Sequence, residues 1–587
     1  MKHNKKGQSE PREYMHKTKA KQKPEDSEQT ADFYKRDAQT GLLYDHDGNL
    51  IENIVYTDEI FVKSICWHRT HMHIEYTAKK HTQLYLFNRK KGIIIPLESS
   101  LQENGDYSAH LNFCIANGGR ELPQNGGYSL FAGDTCKIVY SNEVLHNLEN
   151  LARVFSYQNL KYAYVVVFRI RKNADDTMRL VVLVRYMMQN LKPQKNRPFL
   201  ENQTIFKALK RIFQNHKERI CRIFYKIARG LRKPLHQRIL LMTENREELS
   251  GNLKALHRRL LEQGLDKDFK IMTSARNSID YNQNIFSWLK TVFMIAHSEY
   301  IFLDDYTPIF ALLNLKNTEL VQLWHAGVGF KCVGYSRFGL PGSPHPYKSC
   351  HRHYTYGIVG SEDLRELYAE VWGIEKDSII ATGLPRLEHF LDDDIAAAET
   401  QRIYSSYPVL KGNQVVLFAP TFRGATQQNA YYDYSKIDFE KFYEYAKKSN
   451  SIVVFKMHHF IKEEVPIPEE FSDRLVEIKN EDINSLYYIS DILITDYSSC
   501  FYDFSLLQRP ILFYAYDKEL YFASRGMHRS FDESAPGKVC ETFDSLIDAL
   551  DNKDFENPLC KINIEDRAVK RQGLASDIII DKIILKK

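Results

Sequence analysis

Short apolar runs alternate with charged helical stretches from Arg238 almost to the end of the 587-residue chain, and this rhythm limits the fold more than any other feature. The runs are RILLMTE, FKIMTSA, YIFLDD, LVQLWHA, YGIVGSE and SIIATGLP, followed by VVLFAPTF, IVVFKMH, LVEIKN, DILITDY and PILFYAY; REELSGNLKALHRRLLEQG is typical of the stretches between them. Strands without polar alternation belong to sheets covered on both faces, and strand–helix alternation gives parallel sheets. The expectation is an α/β chain with two parallel-sheet domains in succession, residues 237–385 and 386–587. Ligands in such sheets bind beyond the carboxyl ends of the strands.

The polar residues cluster where that rule puts a site. LVQLWHA ends in His325, followed by Gly327, Gly329 and Lys331; SIIATGLPR ends in Arg386; VVLFAPTFR ends in Thr421 and Arg423; IVVFKMHH ends in Lys456, His458 and His459. In DILITDYSSCFYDF, a strand to Asp496 turns through Ser498 and Ser499 into a helix expected to reach Gln508, with Asp503 one turn in. The first helical N–H groups and the two hydroxyls suit a phosphate, although either serine alone could simply cap its own helix. Cations and hydroxyls hold phosphate, and a neutral imidazole accepts a proton from an attacking alcohol. The set fits transfer onto or from a diphosphate.

Other chemistries fit less well. A Walker A loop and a GxGxxG fingerprint are both missing, against ATP hydrolysis and dinucleotide binding, and no cofactor is expected. Asp304-Asp305 resembles a metal-binding acidic pair, but a second carboxylate cluster is lacking nearby and no metal is assigned. A net charge of +5 is small for this length and gives no argument for nucleic acid. Nine scattered cysteines without a CxxC pair suit reduced, packed thiols. No run has the length of a membrane span, and the N-terminus lacks a signal-peptide core, so a cytoplasmic protein is expected.

Residues 1–40 are Lys, Glu, Gln, Pro and Ser with few apolar positions, the composition of a disordered tail. Residues 45–200 carry β-branched and aromatic runs such as IFVKSICW, HMHIEY, YAYVVVFRIR and MRLVVLVRY between turn signals, which predicts an all-β accessory domain. Its His68, His71 and His73 have no acidic or thiol partner at metal-site spacing and read as surface strand histidines. Residues 202–236 form a basic amphipathic helical segment: ten Lys or Arg accompany Glu218 alone between 202 and 233, around a stripe that includes Ile220, Ile223, Phe224, Ile227 and Leu231. Such a helix suits an anionic membrane surface, the alternative being an interdomain helix packed on its own protein.

In order along the chain, QLWHAGVGFK, GYSRFG, GLPR, APTFR, FKMH, DILITDYSSCFYDF, RPILFYAYD, the Tyr521 and Arg525-Gly526 steps and Pro536-Gly537 resemble the CDP-glycerol glycerophosphotransferase family. The resemblance implies a GT-B arrangement, two Rossmann-like domains facing a cleft, working peripherally on the cytoplasmic face of a bacterial membrane. It implies CDP-glycerol or CDP-ribitol as donor, a lipid-linked teichoic acid or capsule polymer as acceptor, and it allows a homo-oligomer. Carried over, His325 is the general base and His458 its catalytic partner on the phosphate. Ala326, Gly327, Val328 and Gly329 wall the site, and Arg386, Pro420, Thr421, Arg423, Lys456, Met457, Ser498, Ser499 and Asp503 surround the donor. Many members have HGT where this chain has His325-Ala326-Gly327. A nucleotide-sugar glycosyltransferase and a non-catalytic polymer-binding scaffold are the competing readings.

Overall fold

The computed structural model describes three two-residue strands before residue 56, then 56–188, 218–231, 237–560 and 574–587. Short breaks fall at 117–119, 134, 159–161, 173–176, 278–284, 326–328, 330, 338–342, 389, 391, 425–428 and 529. Residues 1–34, most of the expected tail, lie outside the described residues. Lys35–Arg36, within its last part, pairs antiparallel with Leu43–Tyr44.

Residues 56–188 form two stacked sheets. Six strands run in the order Arg153–Tyr157, Tyr162–Lys172, Met178–Met188, Gly126–Phe131, Tyr85–Asn88, Ile93–Pro96; five run in the order Cys136–Tyr140, Asp58–His68, His71–Ala78, Tyr107–Asn112, Glu98–Leu101. Alternation explains the packing: Met72, Ile74 and Tyr76 enter a core shared by both sheets, with Trp67, Phe113 and Phe155 in edge and tilted contact. The odd residues His71 and His73 take the opposite face. That face is not solvent-exposed throughout, because the helix Arg365–Trp372 lies against it. Arg69 donates to Glu370 at 2.7 Å, and His110 pairs with Glu366 at 2.9 Å. His71 is therefore buried, at 8% exposure, rather than a surface histidine.

The first parallel sheet has the order Asn245–Arg246, Lys270–Asn277, Arg238–Thr243, Tyr300–Leu303, Glu319–Gln322, Tyr356–Val359, Ile379–Ala381, parallel except for its first strand. The second is wholly parallel: Leu475–Glu477, Ser451–Phe455, Gln414–Phe418, Ile492–Thr495, Ile511–Tyr514, Lys538–Cys540. In chain order the second reads 3-2-1-4-5-6, so its order reverses between Gln414–Phe418 and Ile492–Thr495. Side chains beyond those two ends face a crevice.

Two segments from outside residues 237–385 pack onto the first parallel unit. The helix at 218–230 buries Cys221, Tyr225 and Ala228 in the core of the first parallel unit, and Arg229 donates to the carbonyls of Ala296, Ser298, Lys316 and Asn317. Ile220, Ile223, Ile227 and Leu231 remain exposed. At the other end, Ala575–Ile579 and the π-helical Ile580–Leu585 return to the first unit. There Ile579, Ile580, Ile583 and Ile584 pack on Ile239, Leu253 and Tyr300, and Arg259 pairs with Asp577 at 2.6 Å.

Candidate functional site

Trp324 and His325 follow the strand Glu319–Gln322. The side chain of Asn252 donates to the Trp324 carbonyl at 2.6 Å and accepts the backbone N–H of Arg386 at 3.1 Å, tying the turn to the start of the second unit. The His325 side chain is 55% exposed, and its Nδ1 stands 2.8 Å from Asp305 Oδ1, at the end of the neighbouring strand. Desolvation works against the imidazolium, but Asp305, with help from Asp304, outweighs it and raises the His325 pKa above 6.5. Burial first, and then Asp305, push the Asp304 carboxyl up to about 6. Asp305 and the Asp304 carbonyl, at 2.8 and 3.2 Å, both meet Nδ1 and so fix the orientation of the ring.

His458 approaches from the second unit. Its Nδ1 accepts the Phe460 backbone N–H at 3.3 Å, so the neutral ring carries its proton on Nε2 and presents a donor. Burial, and then the positive groups of His459, Lys331, His325 and Arg246, lower its pKa to about 3. His459 is lowered to about 4 by burial, Arg246, His325 and Lys456, against Asp305. The pKa shifts of His458 and His459 thus carry contributions from His325, Asp305 and Arg246 of the first unit.

The remaining expected residues divide into cleft and foundation. Arg386 makes a two-pronged pair with Asp503 and reaches the His325 carbonyl at 3.4 Å, so it bridges both walls. Ser498 Oγ accepts the Cys500 N–H at 3.3 Å, and Ser499 is the N-cap residue without a side-chain cap bond. The helix they open is Cys500–Ser505, shorter than the expected run to Gln508, because Leu506 to Gln508 tighten into turns before Pro510. Lys456 Nζ donates to the Lys479 carbonyl at 2.5 Å. Thr421 donates through both N–H and Oγ1 to Asp496, beneath the cleft floor. Arg423, 7% exposed, donates to Asp496, Asp517 and the Thr421 carbonyl among the rings of Tyr432, Tyr497, Tyr516 and Tyr521. Met457 joins the hydrophobic core and Pro420 is buried at the strand end.

Ala326, Gly327 and Val328 lie outside the described residues. Gly329 has φ +66, which any side chain would strain, and a Cβ there would crowd Leu367 Cδ2 at 2.3 Å. Beyond it, Lys331 pairs with Met527 and Cys332 N–H donates to the Gly526 carbonyl, closing the loop onto the second unit.

The residues that sequence reasoning left without a role are Asp496, Asp517, Arg246 and Asn252, along with the service Asp305 gives to His325. The strand-end position of Asp496 and Asp517 was the available signal. Arg246 and Asn252 carry no motif.

Residues 223–583 match the family model described as CDP-glycerol:poly(glycerophosphate) glycerophosphotransferase. The chain is 34% identical over 381 residues, 65% of each chain, to the teichoic acid ribitol-phosphate polymerase TarL of Staphylococcus aureus. It is 32% identical to a teichoic acid poly(ribitol-phosphate) polymerase of Bacillus spizizenii, covering 81% of this chain and 77% of that one. The matched part spans just under two thirds of TarL and 62% of TarK, a second ribitol-phosphate polymerase of S. aureus. A solved variant of the wall teichoic acid polymerase TagF superposes with a TM-score of 0.51 at 20% identity, over 65% of this chain and 97% of that one, a likeness of fold. With the family model spanning both parallel sheets, the chain belongs to the CDP-glycerol:poly(glycerophosphate) glycerophosphotransferase family.

Proposed function

We propose that the chain uses a GT-B cleft to transfer glycerol phosphate or ribitol phosphate from its CDP-alditol to the hydroxyl end of a lipid-linked polymer, releasing CMP. The observation behind this reading is the pairing of a carboxylate-oriented His325 on one wall with a neutral, N–H-bearing His458 on the other. The acceptor oxygen forms a bond to the alditol-bearing phosphorus as the bond to CMP breaks, and His325 Nε2 takes the hydroxyl proton. His458, Arg386 and the turn at Ser498 and Ser499 face the phosphate charge, with Lys456 behind them. The deciding experiment offers CDP-glycerol, CDP-ribitol and UDP-sugars side by side with a glycerophosphate-primed lipid. CMP release and polymer growth with a CDP-alditol are expected; nucleotide release from a UDP-sugar alone would make it a glycosyltransferase, and release from none of them a binding scaffold.

The acceptor's lipid anchor makes a peripheral place on the cytoplasmic membrane face part of the proposal. No described helix is long and apolar enough to cross a membrane. On the helix at 218–230, Ile220, Ile223, Ile227 and Leu231 are exposed beside Arg219, Arg222 and Lys226, an apolar stripe flanked by cations that suits an anionic bilayer surface. Replacing Ile220, Ile223 and Ile227 with Ser should release the protein from sedimenting phosphatidylglycerol vesicles while CMP release on a soluble acceptor persists. Unchanged sedimentation would remove this helix from membrane binding.

A further inference from the structure

We propose that His71, His110 and Glu366 form a divalent transition-metal site of zinc type, which clamps the β-rich region onto the first parallel-sheet unit. The three come from separate elements: the strand His71–Ala78, its neighbour Tyr107–Asn112, and the helix Arg365–Trp372. Their ligand atoms all lie within 4.8 Å of one another. His71 Nδ1 is 3.6 Å and His110 Nε2 2.9 Å from the same Glu366 oxygen. Zinc–nitrogen and zinc–oxygen bonds of about 2.0–2.2 Å give tetrahedral edges of roughly 3.3 Å, and the two edges to Glu366, at 3.6 and 2.9 Å, lie within a few tenths of an ångström of that value.

The surroundings add a second observation. A metal-bound histidine characteristically gives its other ring N–H to a carboxylate, which fixes its tautomer and orientation. His71 Nε2 lies 3.3 Å from Glu370 Oε2, one helical turn beyond Glu366, while Nδ1 faces the proposed ion. Glu98 stands 3.5 Å from His110 Nε2, and His73 packs 5.6 Å from the His110 ring, so a fourth ligand is at hand from the same sheet face. Imidazole and carboxylate together select zinc or a neighbouring first-row ion over magnesium or calcium. No acidic partner stands close to His71 in the sequence, because the bridging carboxylate, Glu366, lies 256 residues beyond His110.

The test uses the full chain without an affinity tag, stripped with EDTA and dialysed against Zn²⁺ alone. Mass spectrometry for metals should find about one tightly held zinc per chain, and the thermal midpoint should rise on zinc addition and fall on chelation. Glu366→Gln, at a half-exposed position that tolerates the change, and His110→Gln should each weaken zinc binding at least about tenfold. His68→Ala, on an exposed neighbour, should not. A parent chain that retains no zinc after dialysis overturns the proposal, as does undiminished zinc binding in both the Glu366 and His110 variants.

Discussion

Replacing His325 with Ala is expected to lower turnover by ~10² to 10⁴ while CDP-alditol binding, measured by calorimetry, stays at the parent value. In the proposed mechanism the labour divides across the cleft: the phosphate-facing groups belong to the second unit, and His325 meets the incoming hydroxyl from the first. Asp305 gives the prediction a second readout. A base must be neutral, so the rate should rise with pH through the His325 pKa, which Asp305 holds above 6.5. Asp305→Asn removes the charge that favours the imidazolium, so the acid limb of kcat should move to lower pH. The plateau should fall as well, because Nδ1 loses the carboxylate that orients it. Parent-like turnover in His325→Ala, or an acid limb that Asp305→Asn leaves in place, would remove His325 from the base role.

The parallel sheets were legible because covered strands need unbroken apolar runs, and FKIM, YIFL, VVLF and ILIT each mark one. Within the site, adjacency to a motif misled where strand period would have helped. Side chains beyond a strand end still alternate, so in Lys456-Met457-His458 the middle residue turns into the core. Distance along the chain hid other relations. Nothing near His325 announces that Asp305, twenty residues earlier, holds its Nδ1, and nothing near His71 announces Glu366. Ile579, Ile580, Ile583 and Ile584 pack on the first unit only after a return across the whole second unit, which no local pattern encodes.

Arg423 provides the sharpest separation of foundation from contact. Its guanidinium is held between Asp496, which is fully buried, and Asp517, which itself accepts the Tyr497 hydroxyl at 3.0 Å. Removing the cation leaves two carboxylates without their partner in a ring-lined pocket, and breaking a buried pair in this way costs about 3–5 kcal/mol. Arg423→Ala should therefore lower the urea midpoint of the second unit strongly. Arg423→Lys should recover only part of it, because one ammonium cannot bridge two carboxylates and the Thr421 carbonyl. Pairing Arg423→Ala with Asp517→Asn tests the cause: the double variant should be less destabilised than the sum of the singles, since the second change neutralises one of the stranded charges. A phosphate ligand behaves differently. If Arg423→Lys kept parent stability and instead raised the KM for CDP-alditol, the guanidinium would face the donor, and Thr421 with Asp496 would form part of the donor wall rather than the floor beneath it.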